Sequence, residues 1–128
     1  MDAMMPIPDR AAPYRDWLLS LPGVTPRRMF GTQAYFVGPA MFAFLSPTAL
    51  VVRLPHAVFT QVMVGGHGKP FLSFGAAQLN GWAELPFDGN TSEFLERMLL
   101  AAHGLGTHAA RSAARRKRTV NARRLVRR

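Results

Sequence analysis

Residues 24–45, VTPRRMFGTQAYFVGPAMFAFL, contain three short apolar runs that are separated by Gly31 and by the pair Gly38-Pro39. Glycine adopts turn conformations without a clash from a Cβ atom, and a Gly-Pro pair is a strong turn signal. Aromatic and apolar residues, which suit a pleated and half-buried surface, fill the second and third runs. The segment therefore predicts three consecutive strands joined by tight turns. These strands cover residues 25–30, 33–37 and 40–45.

Three segments with apolar residues at helical spacing predict helices around these strands. The first covers residues 12–21, with a proline in its first turn. The second begins at Pro55 and ends at Gly65. The third begins with Asn90 as its N-terminal cap and ends at Gly104. Their apolar stripes are Tyr14, Trp17, Leu18 and Leu21; Val58, Phe59, Val62 and Met63; and Phe94, Leu95, Met98, Leu99 and Ala102.

Further strands are predicted at residues 50–54, 71–74 and 81–85. The short turns between the early strands favour antiparallel pairing over helical crossovers. The fold class expected from this order, α-β(3–4)-α-β(2)-α, is α+β, with two layers and helices packed mainly on one face of an antiparallel sheet. The predicted division of the chain is a flexible arm at 1–11, a body at 12–104 and an Arg-rich tail at 105–128.

Several short motifs along the body resemble the N-terminal domain of the TfoX (Sxy) family. The matching pieces are Arg28-Met29-Phe30-Gly31, Tyr35-Phe36, Met41-Phe42-Ala43, Leu50-Val51-Val52-Arg53, Gly68-Lys69-Pro70-Phe71 and Trp82-Ala83-Glu84-Leu85-Pro86. The resemblance covers roughly residues 12–103 and implies the same architecture. It also implies a bacterial protein involved in transcription regulation, as in competence, that acts on a protein partner. Full-length competence regulators carry a second, C-terminal domain, and a chain of 128 residues is too short to include it.

The charges of the chain are unevenly distributed, although the whole carries a formal charge of +9. Residues 1–104 hold seven Lys or Arg and seven Asp or Glu, so that the body is formally neutral. The tail holds nine cations and no acid. These cations are Arg111, Arg115, Arg116, Lys117, Arg118, Arg123, Arg124, Arg127 and Arg128. Such a cluster favours binding to phosphates through counterion release, without sequence readout.

The tail leaves alternatives open. Its early part is rich in alanine, so residues 107–118 are compatible with a helix that is docked on the body or induced by binding. An acidic protein or an anionic membrane surface would also attract the tail, with no role for nucleic acid. Leu125 and Val126 are too few apolar anchors for a strong interfacial helix. A solvated tail without a specific role is the plainest alternative.

No enzyme signature is present, and we expect no catalytic residue, cofactor or metal. The four histidines lie at no metal-ligand spacing. The stretch 65–69, GGHGK, lacks the first glycine and the Ser or Thr of a phosphate-binding loop, and it follows a helix instead of a strand. A helix C-terminal cap is the expected role. The absence of cysteine excludes disulfides and is consistent with a cytoplasmic location. The longest apolar runs are far shorter than a membrane helix needs.

One surface of the body is a candidate for a partner. Adjacent residues on a strand point to opposite faces, so that Arg27 and Arg28 are expected on the two sides of the sheet. Because the family-like signature falls there, we expect the partner surface to include a set that we call the motif residues. These are Arg28, Met29, Phe30, Gly31 and Tyr35. Exposed strand edges are compatible with a dimer.

Overall fold

A computed structural model describes residues 10–29, 31–72 and 78–126 of the protein. Three helices and six strands form this part of the chain, with four strands after the first helix and two after the second. Their bounds are α1 Ala12–Ser20, β1 Val24–Met29, β2 Thr32–Val37, β3 Ala40–Leu45, β4 Ala49–Arg53, α2 His56–Val64, β5 Lys69–Leu72, β6 Gln78–Pro86 and α3 Ser92–Val126. The predicted order of elements is thereby confirmed.

The six strands form one sheet in the order β1-β2-β3-β4-β6-β5, and every neighbouring pair is antiparallel. The α+β class with an antiparallel sheet is confirmed. The strand predicted at 71–74 begins earlier, at Lys69, and its last two residues lie outside the described part of the chain. Phe30, at the predicted end of the first strand, also lies outside it.

One face of the sheet carries the hydrophobic core. Side chains from all three helices, among them Leu18 of α1, Val62 of α2 and Leu99 of α3, join strand residues in a single buried cluster. Tyr35 and Phe42 are the largest fully buried side chains of that cluster. The helices therefore form the second layer on this face, as the sequence predicts.

A β-bulge between β2 and β3 brings two consecutive residues onto the core side. Tyr35 pairs with Ala43, but Phe36 pairs with Met41, so that Phe42 is the extra residue. A bulge interrupts the strict alternation of side chains between the two faces. Phe42 and Ala43 are consequently both fully buried against the helices, although they are neighbours in the chain.

The predicted end of the third helix at Gly104 is wrong. Helix α3 runs on through Gly104 and Gly106 to Val126, over 35 residues, which corresponds to about 52 Å. A glycine costs a helix only about 1 kcal/mol. Gly106 offsets that cost through packing, because the absent Cβ would lie 3.0 Å from the Cβ of Phe42 and the helix can approach the sheet closely. The helix crosses the predicted boundary at residue 104, and the division into body and tail stays a prediction.

The N-terminal cap of α3 is also different from the prediction. Thr91, and not Asn90, accepts a hydrogen bond at its side-chain oxygen from a first-turn amide, that of Phe94, at 3.1 Å. Asn90 instead joins two loops, because its side-chain amide donates to the carbonyl oxygens of His67 at 2.9 Å and Pro86 at 2.8 Å. Both residue types are good caps, so the sequence pattern did not separate them.

Candidate functional site

Five of the nine cations of the tail are exposed on the part of α3 that extends beyond the sheet. Ala110 of α3 lies beside Gly38 in the turn between β2 and β3, where a Cβ on Gly38 would be 3.6 Å from the Cβ of Ala110. A group that we call the five exposed cations follows: Arg111, Arg115, Arg116, Lys117 and Arg118. Arg123 and Arg124 belong to the last residues of α3, and Arg127 and Arg128 lie outside the described residues.

These cations surround the helix axis instead of forming one stripe. At about 100° per residue, Arg111, Arg115 and Arg118 share one face, whereas Arg116 and Lys117 lie on the opposite side. Each of the five is exposed, whereas Ser112 and Ala113, which lie between them in the chain, are half-buried. The extended part of α3 therefore presents cations on more than one side.

The acidic residues lie at the other end of α3. Glu93 and Glu96 are in its first two turns, Asp88 precedes it, and the sequence has no acid after Glu96. Arg111 lies 15 residues beyond Glu96, which is about 22 Å along the helix. That separation exceeds two Debye lengths at physiological salt, each about 8 Å. Glu93 and Glu96 consequently do not neutralise the five exposed cations.

One acid at that end is already paired. The guanidinium of Arg10 donates a hydrogen bond to the carboxylate of Asp88 and holds the pKa of that carboxyl below its usual value. This ion pair joins the chain before α1 to the loop before α3. Among the described residues, the five exposed cations form no comparable ion pair.

Arg27 and Arg28 point to opposite faces of the sheet, as predicted. The guanidinium carbon of Arg27 lies 4.9 Å from the ring centroid of Phe36, on the face away from the helices. Arg28 lies on the helix side of β1, where it pairs in the backbone register with Gln33. The exposed motif arginine therefore sits beside α1.

Three of the motif residues line one groove. Arg28, Gly31 and Tyr35 border a groove of about 570 Å³ at the end of the sheet that holds the β1–β2 and β3–β4 turns, and Arg15 of α1 joins them. Met29 is the last residue of β1 and does not line the groove. Phe30 lies outside the described residues. Sequence reasoning did not identify Arg15, because nothing in its local pattern indicates that α1 approaches the turn.

Tyr35 is a core residue more than a surface residue. It is fully buried, and its hydroxyl donates to the side-chain oxygen of Gln33 at 3.3 Å. Burial raises the pKa of the Tyr35 phenol; the nearby carboxylate of Asp16 adds to this effect and the guanidinium of Arg15 opposes it. Among the described motif residues, Arg28 is therefore the polar group that is open to a partner.

The groove and the five exposed cations lie at opposite ends of the sheet. Helix α3 starts near Phe87, at the end where β6 finishes, and reaches Gly38 at the far end. The groove lined by the motif residues, which we call the motif groove, lies at the end of the sheet where α3 starts, since Gln33 pairs with Leu45 there. The two candidate surfaces are thus separate sites.

Two of the four histidines, His67 and His103, have structural partners. The Nδ1 atom of His67 is 3.2 Å from the side-chain oxygen of Asn90, and its ring stacks on Phe94 with centroids 4.1 Å apart. The Nε2 atom of His103 lies 2.8 Å from the carbonyl oxygen of Pro22. Within residues 10–29, 31–72 and 78–126, no three His, Asp or Glu side chains come close enough to hold a metal ion.

The GGHGK stretch is a helix end and not a phosphate loop. Gly65 is the C-terminal cap of α2, and its N–H donates to the carbonyl oxygen of Gln61 at 2.9 Å. Gly66 has a positive φ of 72°. A Cβ at Gly68 would overlap the backbone carbonyl oxygen of Glu84. The glycines here serve the turn and the close approach of β5 to β6, which confirms the predicted capping role.

Comparisons with known proteins give no match: no protein-family model, no curated protein and no solved structure is similar to this chain. The resemblance to the TfoX N-terminal domain therefore stays a prediction that rests on the quoted motifs. Among the helices of the described residues, none is long and apolar enough to cross a membrane.

Proposed function

We propose that the protein is a non-catalytic regulatory adaptor of the bacterial cytoplasm whose helix α3 anchors it to nucleic acid. The observation that carries this proposal is the extension of α3 beyond the sheet with five exposed cations and no acid. Phosphate is the chemical group that such a surface favours, and arginine can bind it with two hydrogen bonds at once.

The dimensions of the extended helix suit a duplex. Residues 111–126 span about 24 Å, or roughly seven base pairs, and an α-helix fits the major groove of DNA. Because the cations surround the helix, phosphates on both sides of a groove are within reach. No recognised base-reading motif accompanies them, so the binding is non-specific and electrostatic.

The body supplies the adaptor part of the proposal. Arg28 lines the motif groove. This groove lies at the end of the sheet distant from residues 111–126 of α3, which we call the basic helix. A protein partner bound there would not collide with nucleic acid bound to α3. The resemblance to the TfoX family supports transcription regulation as the process in which such a bridge would act.

The experiment is fluorescence anisotropy of the full chain with two unrelated duplexes of about 20 base pairs across a salt series. Both duplexes are expected to bind with similar affinity, and log K should fall with log salt at a slope of roughly −4 to −8, as ~5–9 phosphate contacts require. Absence of binding at about 50 mM salt would exclude the nucleic-acid role. A partner that survives nuclease treatment in a pull-down would then favour an acidic protein as the target of the tail.

A further inference from the structure

An apolar groove borders α2 at the end of the sheet from which the basic helix extends. It has a volume of about 700 Å³ and lies between α2 and Leu105 of α3. Its apolar lining includes Leu54, Phe59, Met63 and Val64. Val64 is 84% exposed, which is the largest exposure among the big apolar side chains of the described residues. An apolar groove of this size is in the range of about 300–1,000 Å³ that ligand sites occupy.

The lining of this groove carries one cation and no acid: it contains Arg53 and no Asp or Glu. The lining itself is therefore positively charged. An occupant with negative charge would gain by binding here.

The groove is continuous with the basic helix. Leu105, Ala109, Ser112 and Arg116 are spaced at i, i+4, i+7 and i+11, so they lie on one face of α3. Arg116 is about 16 Å further along that face than Leu105. A segment that fills the groove and follows this face of α3 would pass from apolar contacts onto Arg116.

We propose that this groove binds an acidic amphipathic helix of a partner protein, with its apolar stripe against α2 and Leu105 and its acidic residues along the basic helix. Helix-in-groove recognition of this kind uses apolar anchors at i, i+3, i+4 and i+7. A flat membrane does not fit a concave site, and the groove lining offers bases only the phenyl ring of Phe59 and the imidazole of His56 to stack on. The proposal shares Arg116 with the proposed function but does not require nucleic-acid binding.

The test uses the full chain and a fluorescent probe peptide of about 16 residues, with Leu at i, i+3, i+4 and i+7 and Glu and Ala elsewhere. A peptide of the same composition but scrambled order is the control for charge alone. The striped peptide is expected to bind roughly tenfold tighter than the scrambled peptide, because only it can present an apolar face. Equal affinity for the two peptides would overturn the proposal.

Two single substitutions locate the site. Val64→Gln should weaken binding of the striped peptide by roughly five- to tenfold, since it removes exposed apolar surface from the groove. Leu100→Gln is the matched control, because Leu100 is 50% exposed on α3 and does not line the groove; it should change the affinity by less than about twofold. Equal effects of the two substitutions would contradict the proposed site.

Parallel measurements separate this proposal from the others. Val64→Gln should keep duplex affinity within about twofold, since phosphates do not contact the groove. A chain that binds the striped peptide but no duplex would overturn the proposed function and support the groove. If the full chain self-associates in sedimentation and Val64→Gln abolishes that association, a second copy occupies the groove and the proposal is wrong.

Discussion

A chain that ends after Ala110 is expected to bind duplex DNA at least about 100-fold more weakly than the full chain at low salt. The cut removes all nine cations of the tail and leaves seven cations and seven acids. A formally neutral body gains little affinity for DNA from counterion release. Anisotropy with the same duplex measures the loss, and thermal unfolding shows whether the body is intact.

The position of the cut matters for this experiment. Gly106 packs against Phe42, and Ala110 lies beside Gly38. A cut at residue 104 would remove these contacts and destabilise the sheet, so that lost binding would have two causes. After Ala110 the melting temperature should fall only slightly. Duplex binding that survives in a folded chain ending at Ala110 would contradict the role of the basic helix.

Gly106→Leu is expected to lower the free energy of unfolding more than the same substitution at Gly104, the other glycine of α3. Even a Cβ at this position would lie 3.0 Å from the Cβ of Phe42, which is fully buried. A longer side chain must push the helix away from the sheet, at a cost of about 2–3 kcal/mol. For a domain of this size the melting temperature should fall by roughly 8–12 °C.

Gly104→Leu is the matched control for that substitution. Gly104 lies in the same helix, but nothing is within 4 Å of its absent Cβ. Leucine should therefore stabilise the helix by about 0.5–1 kcal/mol through its better propensity. Chemical denaturation measures both variants. Equal changes at the two positions would mean that Gly106 does not set the distance between α3 and the sheet.

The pairing of the first three strands follows from local chemistry, which explains why the sequence predicts their antiparallel arrangement. Gly31 and Gly38 have positive φ values of 76° and 55° and form the turns that join β1, β2 and β3. Turn residues of this kind act within a few positions of the chain. The pairing of β4 with β6 instead joins distant segments, and local patterns carry no information about it.

The end of α3 was predicted wrongly for a related reason. Glycine weakens a helix locally, and the sequence pattern shows only that local effect. The packing of Gly106 on Phe42 depends on a residue more than sixty positions earlier. The tertiary contact of Gly106 with Phe42 therefore keeps this segment helical, as is common where the intrinsic helix propensity is weak.

The candidate sites were predictable to different degrees. The charges of the tail are visible in the sequence, but their arrangement around one helix and their distance from Glu93 and Glu96 are not. The convergence of Arg28 and Tyr35 follows from their neighbouring strands. The apolar groove was missed because Leu105 approaches α2 only in the folded protein, although the apolar content of α2 was a signal that could have indicated it.

The most direct test of the account replaces the five exposed cations by glutamine in the full chain. Glutamine has a helix propensity close to that of lysine and arginine, so α3 should remain helical. The salt dependence of duplex binding is then compared with that of the unaltered chain. We expect the slope of log K against log salt to become shallower by roughly 3 to 4.5, about 0.9 for each lost phosphate contact. An unchanged slope with unchanged affinity would contradict the claim that helix α3 is the nucleic-acid anchor.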